Sequence, residues 1–106
     1  MSNADIKLLS HLMRRAGFGA THEELELLAI KGYEATVEDL LHPDNSAEVE
    51  EDLLHRYDPG FEYASNHNVA ACHWLYRMIN TKRPLEEKMA LWCHSLFATG
   101  GSKVMV

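Results

Sequence analysis

The sequence predicts an all-α fold, a single-domain bundle of about six helices that ends in an antiparallel helical hairpin. Apolar residues recur at helical spacing in each long segment, and no run alternates apolar with polar residues as a half-buried strand would. Glycines and prolines separate these segments at positions that end helices. With 106 residues, 46% of them hydrophobic, the chain has the size and composition of one globular domain, so we expect residues 1–106 to form a single unit.

The first predicted helix covers about Asp5 to Ala16, and the second begins at Thr21. Thr21 and Glu24 have the spacing of a capping box, in which each side chain accepts a hydrogen bond from the backbone amide of the other residue. Gly17 and Gly32 follow the two helices where a glycine commonly ends one. The residues expected to face the core are Ile6, Leu8, Leu9, Leu12, Met13, Ala16, Leu25, Leu28 and Ala29.

A third helix is predicted from Tyr33 to Leu41, because Pro43 disfavours helical geometry at the residue before it. A fourth, acidic helix is predicted from about Ser46 to His55, and residues 57–66 form a loop. The core residues expected in these two helices are Val37, Leu40, Leu41, Val49, Leu53 and Leu54.

The last two predicted helices run from about Asn66 to Ile79 and from Pro84 to about Thr99. The link of about four residues between them forces an antiparallel hairpin. Facing positions in such a hairpin have a roughly constant index sum, which predicts an aromatic and methionine-rich core of Trp74 with Trp92, Leu75 with Leu91, and Met78 with Met89.

Both hairpin helices are apolar around more than half of their circumference. A helix of this kind needs neighbours on every side. Either the first four helices therefore wrap the hairpin, or a homo-oligomer, a protein partner or a missing part of the chain covers residues 66–99.

The charge distribution argues against two classes of partner. Residues 1–62 carry 14 acidic and 5 basic side chains, whereas residues 63–106 carry 2 acidic and 5 basic ones. The first part repels a polyanion and the second has too few cations for several phosphate contacts, so we expect no nucleic-acid binding. The longest uncharged stretch, residues 89–102, is too short to cross a bilayer, and we expect no membrane association.

Two adjacent Cys-His pairs, Cys72-His73 and Cys93-His94, raise the question of a metal site. Neighbouring residues on a helix point about 100° apart, so neither pair can direct both side chains at one ion. We therefore predict no metal ligands and no cofactor, with the thiols acting as small apolar side chains.

Two further features are candidates for a ligand site. Arg14 and Arg15 precede a glycine-bracketed Phe18 and the start of the second helix, an arrangement that can hold an anion. The same arginines also complement a helix C-terminus. His94 lies on the most apolar helix, where it is either a hydrogen-bonded core histidine or a catalytic one.

Two stretches, His11 to Pro43 and Pro84 to Val104, resemble the opening of the bacterial family called domain of unknown function 1800. The resemblance implies that the chain corresponds to the N-terminal helical part of longer, often exported proteins with no established activity. The first motif is matched by His11, Arg14, Arg15, Gly17 and Gly19. Where the family pattern resembles Trp-His-x-His-Phe, this chain has Cys93-His94-Ser95-Leu96-Phe97, so one histidine of the pair is kept.

Two functional hypotheses follow from these features. The first is a helical structural or protein-interaction module without a catalytic site. The alternative is a remnant enzyme or an anion or ligand site around His94 and the Arg14–Gly19 loop, with His11, Arg14, Arg15 and His94 as candidate binding residues. No signal peptide can be recognised at the start, which makes the cytoplasm the default location.

Overall fold

The computed structural model describes residues 2–50, 52, 56 and 67–97, and no strand occurs among them. The all-α class is therefore confirmed. The helices are α1 (Asn3–Ala16), α2 (His22–Lys31), α3 (Tyr33–Leu41), α4 (His67–Asn80) and α5 (Pro84–Phe97), with a short 3-10 turn at Pro43–Asn45.

The predicted fourth helix differs from the structure at its start. Residues 46–50 are not helical, whereas Asp52 and Arg56 are, and they form an ion pair one helical turn apart. Residues 51 and 53–55 lie outside the described part of the chain, as do the predicted loop at 57–66 and the end of the last helix at 98–99.

Hydrogen-bonded caps fix the starts of α1 and α2. Ser2 and Asp5 form a capping box, so α1 begins two residues earlier than predicted. The predicted box at α2 is confirmed: the Thr21 amide donates to the Glu24 carboxylate at 2.7 Å, and the Glu24 amide donates to the Thr21 hydroxyl at 3.3 Å. These bonds satisfy amides that have no partner within the helix.

A single residue, Gly32, joins α2 to α3. Its φ of +99° lies in the region that favours glycine. Its amide donates to the Leu28 carbonyl at 2.9 Å, and its carbonyl accepts from the Thr36 amide at 3.1 Å and the Thr36 hydroxyl at 2.8 Å. Thr36, which makes these bonds, is the buried residue of α3, whereas two predicted core residues, Leu41 of α3 and Leu8 of α1, are exposed.

The start of α5 packs against α1 and α3. Gly17 is buried there, and a Cβ atom at that position would lie 2.8 Å from the Pro84 Cβ. Beside this contact the Lys88 ammonium lies 5.2 Å from the centre of the Phe18 ring, close enough for a cation–π interaction. Leu9 and Leu25 are the buried large apolar side chains of the described residues, so the core lies at this end of the molecule.

The expectation that the hairpin seam forms the core is wrong. Leu75, Met89, Leu91 and Trp92 are exposed, and Trp92 keeps 56% of its accessible surface. The contacts between the two helices instead include the ion pair of Arg77 with Glu87 and the ring contact of Trp74 with His94.

No described helix combines the length and the apolar character needed to span a bilayer.

Candidate functional site: the apolar outside of the hairpin

Among the described residues, the hairpin helices contact each other through an ion pair and through a pair of rings. The Arg77 guanidinium donates through Nε to the Glu87 carboxylate at 3.1 Å, and Glu87 is only 6% exposed. Further along the hairpin, the Trp74 and His94 rings meet edge to face, with their centroids 4.9 Å apart at an interplanar angle of 77°. In the sequence, Arg77 and Glu87 both lie between Trp74 and His94, as the antiparallel arrangement requires.

These contacts determine which side of α5 faces inward. Glu87 and His94 are seven residues apart and therefore lie within about 20° of each other around the helix axis. Met89, Trp92 and Leu96 lie roughly 140° to 200° away from Glu87 by the same geometry. These three apolar side chains of α5 therefore point away from α4.

On α4, two exposed apolar side chains likewise lie away from the side that faces α5. Leu75 and Ile79 lie roughly 100° to 160° around the axis from Trp74 and Arg77, which face α5. Both are exposed, Ile79 to 79% of its accessible surface. The hairpin thus has polar and aromatic contacts inside and apolar side chains outside.

An open groove of about 970 Å³ lies between α2 and the outer side of α4. Leu27 and Leu28 of α2 form one wall, and residues of α4 form the other. The Phe18–Thr21 segment also lines it. The apolar residues of this groove are Met13, Phe18, Ala20, Leu27, Leu28, Leu75, Met78, Ile79 and Pro84, and its polar side chains are Thr21, Glu24 and Thr81.

Glu24 is the charged residue that lines the groove, and the Thr21 amide and hydroxyl already donate to its carboxylate, at 2.7 and 3.0 Å. A groove of this composition binds apolar surface chiefly through the hydrophobic effect, with few polar groups to orient what it binds. Its chemistry suits an apolar protein segment better than a charged metabolite.

The predicted ligand residues on α1 are all exposed. The Arg14 Nε donates to the Ser10 carbonyl at 3.3 Å, one turn earlier in the helix, and His11 and Arg15 also lie on the surface. An anion site at these residues stays a prediction.

His94 lies apart from that cluster. It is exposed and contacts Trp74, so the interpretation as a core histidine is wrong. Its position is about 15 Å along α5 from Pro84, which is the α5 residue close to Gly17 at the end of α1. Nothing described brings His94 together with His11, Arg14 or Arg15.

The Cys-His pairs show no metal-binding geometry in the described part of the chain. Cys72 is exposed, Cys93 is partly buried, and both are free thiols. Within residues 2–50, 52, 56 and 67–97, no three His, Cys, Asp or Glu side chains are grouped closely enough to hold an ion.

The Arg77–Glu87 pair was missed by reasoning from the sequence, although a signal was present. Arg77 is the one Arg, Lys, Asp or Glu residue of α4, and the predicted hairpin register brings it within about one turn of Glu87. A lone charge on an apolar helix that faces an opposite charge indicates a buried pair. The groove had no such signal, because its walls come from segments far apart in the sequence.

The comparison with protein families agrees with the resemblance found in the sequence. The family model described as "Protein of unknown function (DUF1800)" matches residues 11–106. The chain belongs to the DUF1800 family. No curated protein and no solved structure matches it. Membership in the DUF1800 family brings with it no catalytic residue or ligand that could be transferred to this chain.

Proposed function

We propose that this DUF1800 chain is a helical protein-interaction module, a single unit whose hairpin of residues 66–99 docks against a second protein surface. The proposal rests on one observation about the hairpin. Glu87 is buried between the two helices, while Met89, Trp92 and Leu96 are exposed on the outer side of α5.

Burial of the exposed apolar side chains against a partner would be strongly favourable in free energy. Burying one large apolar side chain contributes about 1.5–3 kcal/mol. Scattered apolar residues on a surface need no explanation, but a contiguous patch indicates a binding site. Leu75 and Ile79 lie on one side of α4, and Met89, Trp92 and Leu96 lie on one side of α5, as the apolar anchors do on helices that bind other proteins.

The charges around the hairpin favour a protein partner over nucleic acid. Residues 63–106 carry 5 basic and 2 acidic side chains, too few cations for a row of phosphate contacts. Of the basic residues, Arg77 pairs with Glu87, and Arg83 pairs with Glu48 and Glu86. The available binding energy is therefore mainly apolar.

The uncharged dye Nile red tests the proposal, because its fluorescence rises and shifts to the blue on apolar protein surfaces. We expect binding to the native chain, and a several-fold weaker signal for Leu27→Glu and Ile79→Glu, which place carboxylates in opposite walls of the groove. Both side chains are exposed, so these variants keep the fold.

The matched control is Leu41→Glu, which changes an exposed leucine outside the groove and should leave the dye signal unchanged. A native chain that is strictly monomeric and does not bind Nile red would remove the proposal.

A further inference from the structure

We propose that the partner on the outer side of α5 is a second copy of this chain, packed antiparallel along the α5 stripe. This stripe consists of Leu85, Met89, Trp92 and Leu96. The inference rests on the proposed function and adds the identity of the partner and the geometry of the contact.

The first step of the argument is the spacing of the stripe. Its members follow one another at intervals of four, three and four residues, the spacing of the core positions in a two-helix coiled coil. Glu87 and His94, which contact α4, occupy the position opposite this seam. The hairpin contact and the stripe therefore use opposite sides of α5 and do not compete.

The second step is that the stripe is complementary to itself. A two-fold axis across α5 between residues 90 and 91 places Leu85 level with Leu96 of the second copy and Met89 level with Trp92 of the second copy. A methionine beside an aromatic ring is a favourable contact, and it occurs twice in such a dimer. The three exposed members, Met89, Trp92 and Leu96, then lie in one continuous seam.

The third step concerns the charges that flank the seam. In an antiparallel pair with this axis, Glu86 lies beside Cys93 of the second copy, and Lys88 lies beside Ser95 of the second copy. No like charges meet across the seam, so electrostatic repulsion does not oppose this pairing.

The fourth step selects the antiparallel direction. The start of α5 is fixed to α1 through Gly17 and Pro84, and residues 1–62 carry 14 acidic but only 5 basic side chains. A parallel pair would bring these two acidic regions side by side, whereas an antiparallel pair places them at opposite ends of the seam. Repulsion between them therefore favours the antiparallel pair.

Sedimentation velocity over a range of concentrations tests the inference. We expect the native chain to approach twice its 12.1 kDa mass as its concentration rises. Trp92→Glu and Met89→Lys should each weaken dimerisation by about tenfold or more, because each places two charges in the apolar seam. Leu75→Glu is the matched control, with similar exposure on α4, and it should still dimerise.

The double variant Met89→Lys with Trp92→Glu tests the direction. In the antiparallel pair each lysine lies beside a glutamate of the second copy, so dimerisation should return. In a parallel pair each lysine would lie beside the lysine of the second copy, and each glutamate beside the glutamate. The double variant would then stay monomeric, which would overturn the proposed geometry.

A native chain that stays monomeric at high micromolar concentration would overturn the inference, as would a dimer that Leu75→Glu abolishes and Trp92→Glu does not. If the monomer still binds Nile red at the groove, the interaction module stands and only the second copy is excluded. If it neither dimerises nor binds the dye, both proposals fail.

Discussion

The α1–α2 pair, within the α1–α3 region, and the α4–α5 hairpin bury opposite kinds of residue. In α1 and α2 the buried side chains are leucines, Leu9 and Leu25, and the charged residues lie outside. In the hairpin the buried side chain is Glu87, and leucine, tryptophan and methionine lie outside. The first region buries leucines between its helices, although Leu27, Ile30 and Leu41 stay exposed, whereas the hairpin buries a carboxylate between its helices and leaves large apolar side chains outside.

The largest expected effect distinguishes these regions directly. Leu9→Ala removes the most buried large side chain and leaves a cavity, so we expect a loss of about 4 kcal/mol in the free energy of unfolding. Leu75→Ala, the same substitution on the exposed side of α4, should change it by less than about 0.5 kcal/mol. Urea unfolding followed by circular dichroism measures both, and equal losses would contradict the comparison.

The next effect concerns the inside of the hairpin. Arg77→Met deprives the buried Glu87 carboxylate of its cation, which should cost about 3 kcal/mol. The double variant Arg77→Met with Glu87→Met removes both charges and should recover most of that loss in the same unfolding experiment. If Arg77→Met is neutral, the ion pair does not hold the hairpin together.

A smaller effect is expected where the two regions meet. Gly17→Ala should cost about 2 kcal/mol, because the new Cβ atom would lie 2.8 Å from the Pro84 Cβ and 3.2 Å from the Met13 carbonyl oxygen. In a chain that also carries Pro84→Gly, the same substitution should cost about 1 kcal/mol less. Thermal unfolding of the four chains gives this coupling, and strictly additive effects would show that the contact is not tight.

The smallest effect lies entirely within the first region. Thr21→Ala removes the hydroxyl that caps α2, and we expect a loss of about 1 kcal/mol. Thr21→Ser keeps the hydroxyl and serves as the control in the same thermal unfolding measurement. Equal melting temperatures for the alanine and serine variants would contradict the role of this cap.

The sequence predicted those features that depend on neighbouring residues. The all-α class, the Thr21–Glu24 cap and the bounds of α3 all follow from local chemistry, and the structure confirms them. The inward faces of α4 and α5 could not be predicted in this way. A helix that is apolar nearly all round has no unique buried side, and the choice is determined by the contact between Arg77 and Glu87.

The candidate site, too, could be predicted from the sequence only in part. The sequence indicated that the hairpin needs a covering surface, and the exposure of Trp92 agrees with that interpretation. It placed the apolar side chains in the seam between the helices, because it gave no weight to one arginine among apolar residues. The groove brings together Phe18, Leu27 and Ile79, and no local pattern connects positions so far apart.

The close approach of Gly17 and Pro84 has a consequence for the order of folding. These residues are nearly seventy positions apart, whereas five residues link α1 to α2 and one links α2 to α3. Closing the long loop costs about 2 kcal/mol more chain entropy than closing the short one between α1 and α2. The first three helices should therefore assemble early, and the docking of α5 should be a late and slower kinetic phase.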